Sequence, residues 1–401
     1  METSQTGSNI KLKPIHPFAA RMAPEIAFEA LEGLPKESII LDPMTGSGTV
    51  LRTISELGYN GIGFDIDPLS VLMAKAWTIP INEKFFLQKT DQILIKANRL
   101  TETSIHLPWI DDDNNTKDFI RFWFGPKQIT DLRKLSCIVN QYKYGYASLY
   151  KIALSRLIIT KTRGASLAAD VSHSRPHRVR ETNDFDVFKE YEKSCRKISR
   201  ILNDNSREGT IKVKKGDARK LRLKSSSVDC IITSPPYLNA LDYMRGHKLS
   251  LVWLGHSIGE LSSIRSTSVG SEKAPEASSN ISIAKEITKN ITGITELPPK
   301  KINMVYRYAL DIHNILKESA RVLKPECKAT FVVGNSCLQG IYIENTSIVK
   351  EAAGRFGLKL VKSEEREIPE NKRYLPPPNA GEQSVLSKRM RTEAVMTFVK
   401  Q

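Results

Sequence analysis

No stretch of this 401-residue chain approaches the roughly 18 uninterrupted apolar residues that a membrane span requires, so a membrane protein is excluded at the level of sequence. The opening segment METSQTGSNIKLKPIHPF has no apolar run behind a basic start, so nothing in it resembles a secretory signal and a cytoplasmic protein is expected. Cysteine is scarce. The five thiols, Cys137, Cys195, Cys230, Cys327 and Cys337, form no CxxC pair and join no histidine cluster, so reduced thiols and no metal site are expected. Acidic residues are also in deficit, 44 against 60 Lys and Arg, for a formal net charge of +16. Such an excess suits a polyanionic partner, because basic side chains release counterions when they meet phosphate. A generally basic surface is the plain alternative. The distribution bears on the choice: between Lys143 and Arg222 there are 20 Lys and Arg against 9 Asp and Glu.

What is present is an alternation of short apolar runs with helical patterns. Glu37 to Leu41 reads as a strand ending at Asp42-Pro43; the turn MTGSGT and the helical VLRTISELG follow. GIGFDID is a second strand, beginning soon after Gly58, and Pro68 opens a second helix. Two βα units in tandem indicate an α/β fold with a doubly wound, mostly parallel sheet. From about Thr78 to Asn205 the alternation stops in a basic, aromatic, helical region, read as an insertion. It carries an exposed turn at Asp111 to Asn115 and the polar, proline-broken DVSHSRPHRVR at Asp170 to Arg180. Strands resume with TIKVKKGDA and VDCIITSPPY. Arg265 to Lys300, rich in Ser, Thr and Ile, reads as a mobile loop. A helix from about Asn303, strand CKATFVVGN, helix TSIVKEAAGRFG and two last strands in a terminal hairpin bring the count to about seven strands. The expected division is 1–77, an insertion at 78–205, and 206–401 with a loop at about 265–300.

Two features point to a nucleotide-like ligand. The turn DPMTGSGT, Asp42 to Thr49, lies between strand and helix, where glycines admit close backbone approach. Asp65 ends the next strand, about twenty residues on, where an acid accepts ribose hydroxyls. A tight turn without ligand and a dinucleotide enzyme both stay open on these features alone. Thr233 to Tyr237, TSPPY, adds the chemistry. Pro235 and Pro236 fix the backbone and remove two donors, leaving carbonyls to accept hydrogen bonds from an amino group. Ser234 supplies a further acceptor, and Tyr237 an aromatic face on which a flipped base can stack. A strand ending in a proline turn is the alternative for such a tetrapeptide in isolation.

In this order the motifs resemble the amino-type DNA methyltransferases, which modify N4 of cytosine or N6 of adenine. The resemblance implies a Rossmann-like methyltransferase fold with a seven-stranded sheet, a C-terminal antiparallel strand, and S-adenosyl-L-methionine as cofactor. Asp42, Pro43, Thr45, Gly46, Gly48 and Thr49 look like the family's cofactor loop, Asp65 with Ile66 like its ribose-binding segment, and Asp217 with Ala218 like the loop that contacts adenine. HPFAARMAPEI, with His16 and Arg21, looks like the segment over the methionine part of the cofactor. Ser234, Pro235, Pro236 and Tyr237 are similar to the catalytic motif, whose serine form is more typical of N4-cytosine enzymes. C5-cytosine chemistry needs a cysteine in this loop, and Cys230 lies inside the strand instead. Double-stranded DNA is the implied partner, with no metal, in a prokaryotic restriction-modification system that can include a companion endonuclease. Candidate DNA contacts are Arg175, Arg178 and Arg180 in the insertion, Arg245 after the catalytic motif, and Arg373, Tyr374, Arg389 and Arg391 near the C-terminus. Solvated charge is the alternative at each. RNA methylation, as at N2 of a tRNA guanosine, and an inactive nucleic-acid-binding protein of the same fold are the competing functions.

Overall fold

The structure, a computed structural model, describes residues 13–18, 21–160, 163–169, 176–203, 208–238, 242–270, 278–368 and 392–401. Its main sheet has seven strands: β1 (Ile39–Asp42), β2 (Asn60–Asp65), β3 (Ile211–Lys215), β4 (Val228–Thr233), β5 (Leu323–Val333), β6 (Leu358–Glu367) and β7 (Thr392–Lys400). They lie in the order 3-2-1-4-5-7-6. The first five are parallel, and β7 runs antiparallel to both its neighbours, β5 and β6. The order reverses between β1 and β4, so the loops after these two strands open onto the crevice where α/β sheets bind ligands. Sequence reading anticipated both the parallel sheet and the terminal hairpin.

Alternation along the strands sends side chains to two separate cores. In β1 and β4, Ile40, Cys230 and Ile232 face one side, where they meet α1 (Pro24–Leu31), α2 (Thr49–Glu56) and the Val71 and Ala74 face of α3 (Pro68–Thr78). Leu41 and Ile231 face the other, against α12 (Ser278–Ile287), α13 (Pro299–Val322) and α14 (Asn345–Gly354). Both faces of the sheet are thereby covered, as a mostly parallel sheet requires.

The third core belongs to the helical region. It gathers α4 (Glu83–Arg99), α5 (Pro108–Asp111), α6 (Asn114–Trp123), α7 (Pro126–Val139), α8 (Ala147–Ser155) and α9 (Val187–Asn203) around Phe86, Leu132, Leu149 and Tyr191. Its limits are wider than the expected 78–205. The second face of α3, with Leu69, Met73 and Trp77, belongs to it, as do α10 (Tyr243–Leu251) and α11 (Ile258–Thr267) through Leu249, Leu251, Leu261 and Ile264. The segment that follows the catalytic motif therefore completes the helical lobe and ties it to the sheet.

The expected loop at about 265–300 is corrected over its described part, residues 271–277 lying outside the described residues. Ile258–Thr267 and Ser278–Ile287 are helical, and Ala284, Ile287, Ile291, Ile294 and Leu297 are buried against α13. Their spacing of three or four residues makes one apolar stripe, which the surrounding Ser, Thr and Lys concealed. Among the described residues no helix is long and apolar enough to cross a membrane.

Candidate active site

The site forms where β1 and β4 end side by side. Asp42, the last residue of β1, is buried and accepts a hydrogen bond of 2.8 Å from the Thr233 hydroxyl, at the end of β4. This bond joins the glycine loop to the residue immediately before Ser234. Burial pushes the Asp42 carboxyl up to about 7, the Thr233 bond works against that rise, and Asp65 adds to it.

Beyond Thr233 the chain leaves the sheet through Ser234, buried Pro235 and Pro236 to Tyr237. The Tyr237 ring lies close to the Gly334 backbone, where a Cβ would stand 2.6 Å from its Cε2, so a side chain there would force the ring to move. Its phenol donates to Glu393 Oε2 on β7 at 3.1 Å, and Arg366 Nε on β6 is 3.5 Å from the other carboxylate oxygen. Burial and the Glu393 charge raise the phenol well above its usual range, keeping Tyr237 neutral. Gly334, Glu393 and Arg366 carried no recognisable local signal in the sequence.

In the glycine loop, Gly48 caps α2 with φ of 81°, and a side chain there would come within 2.6 Å of Ala74 Cα on α3. Thr45 is held by its N–H on the Phe64 carbonyl at 2.9 Å, while Pro43 and Thr49 are buried. Asp65 accepts from Gly46 N–H at 2.8 Å and Asp67 N–H at 2.9 Å, and burial raises its carboxyl to about 7. Asp67 caps α3 and pairs with buried His247 of α10 at 2.5 Å. Burial alone would raise Asp67, but the charge and hydrogen bond of His247 hold it below the ordinary range. Phe18 stacks on Tyr243 with centroids 4.8 Å apart and lies beside Gly46. An aromatic lid of Phe18, Tyr243 and His247 thus sits over the loop.

The remaining expected cofactor residues have these surroundings, with the Asp217 loop joined to β2 by the Gly216 N–H on the Asp65 carbonyl at 2.9 Å. His16 engages Ser155 of α8 through Nε2 at 2.8 Å, so its ring is turned into the helical lobe and Phe18 takes the place over the loop. Arg21 is half-buried before α1, and Ile66 packs against the helical core. Asp217 follows β3 but is bonded by Arg219, which also reaches Asp311 at 2.6 Å and the Thr267 carbonyl at 2.6 Å. Ala218 is core beneath the sheet. Of the expected DNA contacts, Arg178 is exposed in a two-residue hairpin with Ala168–Ala169, Arg180 is half-buried, and Arg245 is exposed on α10. Arg175, Arg373, Tyr374, Arg389 and Arg391 lie outside the described residues.

Comparison with known proteins agrees with this geometry. A family model described as RMKL-like, methyltransferase domain, matches residues 191–249, which span β3, β4 and Ser234 to Tyr237. The type II methyltransferase M.MvaI of Kocuria varians is 24% identical over 89% of this chain and 84% of its own. The type II methyltransferase M.BsoBI of Geobacillus stearothermophilus is 28% identical over 56% of this chain and 48% of its own. A solved S-adenosylmethionine-dependent methyltransferase from Methanosarcina mazei aligns over 95% of this chain and 99% of its own, at 10% identity and a TM-score of 0.34. Residues 191–249 are thus similar to a methyltransferase domain, and S-adenosylmethionine is the cofactor that such a domain implies.

The residues around the glycine loop fit that cofactor. The Thr45 hydroxyl is buried without a hydrogen-bond partner among the described residues. Asp42, buried, and Asp65, half-buried, are carboxyls raised to about 7, with no Lys or Arg side chain among the described residues as hydrogen-bond partner. Unsatisfied acceptors of this kind suit a ligand rich in hydroxyl and ammonium donors. Asp65 would hold the ribose hydroxyls, and the Gly46 to Gly48 backbone and Phe18 would lie along the amino-acid part.

Proposed function

We propose that this protein is a methyltransferase that modifies the exocyclic N4 amine of cytosine in double-stranded DNA, at a specific site, as the modification partner of a cytoplasmic restriction-modification system. The observation that carries the reading is the bond between Asp42 and Thr233, which sets the Ser234 to Tyr237 segment beside the cofactor loop. Two relatives over large parts of the chain bear the description type II methyltransferase, in keeping with this assignment.

The cofactor, when bound, supplies an electrophilic sulfonium methyl group. The chain's own residues prepare the amine. Its lone pair is delocalised into the base, and hydrogen bonds from the amine to the Ser234 hydroxyl and the Pro235 carbonyl favour a pyramidal nitrogen with the pair free. Tyr237, fixed on Gly334 and tethered to Glu393, offers a rigid ring for stacking the extruded base. Positioning and electrostatics then supply most of the acceleration. A covalent route through cysteine is disfavoured, since burial in β4 raises the Cys230 thiol to about 12.

Incubation of the protein with labelled cofactor and either duplex DNA or tRNA, followed by mass spectrometry of the nucleosides, tests the assignment. N4-methylcytosine in DNA is the expected product. N6-methyladenine would overturn the base, and label in RNA alone would overturn the substrate.

A further inference from the structure

On α10, Arg245 and Lys248 stand one turn apart. Arg245 and Arg265 of the neighbouring α11 both bond the single carboxylate of Asp242, at 3.1 Å and 2.6 Å. Three cations thus share one acid. Arg245 and Arg265 are about half exposed, at 53% and 49% of their side chains. Lys248 is half-buried, and its ammonium lies 5.2 Å from the centre of the Phe119 ring on α6. Partial burial and the positive charge of Arg265 and Arg245 depress the Lys248 ammonium, with Asp242 opposing. The cluster carries more positive charge than its own carboxylate neutralises, the arrangement expected where an anion binds.

From Lys248 the aromatic residues run on without a gap. Phe119 contacts Trp123 at 6.2 Å, Trp123 contacts Phe122 at 5.0 Å edge to face, and the Arg178 guanidinium lies 5.1 Å from the Phe122 ring. Phe122 is 50% exposed, an unusual setting for so large an apolar side chain. At the other end the ridge adjoins the active site, because Tyr243 at the start of α10 stacks on Phe18 beside Gly46.

We infer that the ridge formed by the Arg245, Lys248 and Arg265 cluster, Phe119, Phe122 and Arg178 is the surface on which duplex DNA lies, with the three-cation cluster gripping the phosphates next to the extruded nucleotide. This assignment rests on DNA being the substrate. The occupant is set by charge, since a duplex presents a regular row of phosphates, and by the cations flanking half-buried Phe119 and exposed Phe122, which suits a backbone contact beside bases that are unstacked. Phe122 is then the residue that meets the edge of the duplex, held there by Arg178.

Lys248→Met, which keeps the aliphatic stem over Phe119, Arg245→Ala and Arg178→Ala test the surface. Binding to a short fluorescent duplex is measured by anisotropy across a salt series, alongside calorimetry with S-adenosylhomocysteine. Each variant is expected to reduce the slope of log Kd against log salt by about 0.9 for every phosphate it ceases to neutralise, with unchanged affinity for S-adenosylhomocysteine. Lys350→Met, an exposed lysine on α14 outside the ridge, leaves the slope as it is and controls for net charge. A wild type that binds and methylates duplex while all three variants keep the full slope overturns the ridge alone. Binding and methylation of tRNA but not duplex overturns the DNA reading, and the ridge with it.

Discussion

Thr233→Val is the substitution that probes the joint between cofactor loop and catalytic motif most directly. Valine matches threonine in shape, so the change removes one hydroxyl without opening a cavity. That hydroxyl donates to Asp42 at 2.8 Å, and the two residues are 0% and 2% exposed, so no water can take its place. A hydrogen bond to a charged group contributes about 1.5–3 kcal/mol, and one between neutral groups about 0.5–1.5 kcal/mol. The Asp42 carboxyl titrates at about 7, so the bond has the charged character above that pH and the neutral one below it. Urea unfolding should show Thr233→Val to be less stable by about 2–3 kcal/mol at about pH 8, and by about 1 kcal/mol at about pH 5.5. Asp42→Asn should remove most of the pH dependence, and the double variant should lose less than the sum of the two. Turnover should fall with the stability at high pH, because Ser234 is the next residue. Equal loss at both pH values, or no loss at all, refutes the reasoning that the bond is to an ionising carboxyl.

Other outcomes follow from the same geometry. Gly334→Ala places a methyl 2.6 Å from the Tyr237 ring against fixed backbone, and should lower kcat at least about tenfold while costing about 1–3 kcal/mol of stability, read by steady-state kinetics and unfolding together. His247→Ala leaves buried Asp67 without its side-chain hydrogen-bond partner and should cost about 1–3 kcal/mol in denaturant unfolding, with weaker cofactor binding by calorimetry. Asp42 and Asp65 have folded values of about 7, above the ordinary 3.8, so the folded protein retains protons that the unfolded chain has released. Stability of the cofactor-free protein should therefore fall as pH rises from about 4 to about 7 and then level off, as urea midpoints would report. Donors of a bound ligand lower both carboxyls, so binding of S-adenosylhomocysteine near neutral pH should release protons, seen as a calorimetric enthalpy that varies with the buffer.

Much of the architecture could be read along the chain because its signals are local. Apolar runs bounded by Gly and Pro mark β1, β2 and β4, and the DPMTGSGT turn and the proline pair mark their ends. Asp42 and Asp65 were marked at successive strand ends by the βα alternation, while Asp217 was singled out by the family resemblance. Long-range partners left no such mark. Glu393 reaches Tyr237 across 156 residues and His247 reaches Asp67 across 180, and nothing in either neighbourhood distinguishes them from ordinary surface or core residues. Asp67 is a partial exception, since an acid before Pro68 reads as a helix cap. The stripe Ala284, Ile287, Ile291 was masked by polar neighbours, and the extent of the helical lobe was hidden because α10 and α11 are separated from it in sequence by β3 and β4.

The three carboxylates at the ends of β1 and β2 divide their duties by partner rather than by position. Asp42 and Asp67 are buried and Asp65 is half-buried, yet among the described residues Asp67 is the one bonded by an imidazole, and it alone of the three lies below its ordinary range. Asp67 is thereby committed to structure, fixing α10 and the Phe18 and Tyr243 lid over the loop. Asp42 and Asp65 accept only weak neutral donors and keep lone pairs to spare, at a cost to the cofactor-free fold that a ligand with hydroxyl and ammonium groups removes. The segment Ser234 to Tyr237 inherits its position from this arrangement through Thr233, so in the proposed reaction the cofactor loop and the pocket for the target amine are joined by a single buried hydroxyl.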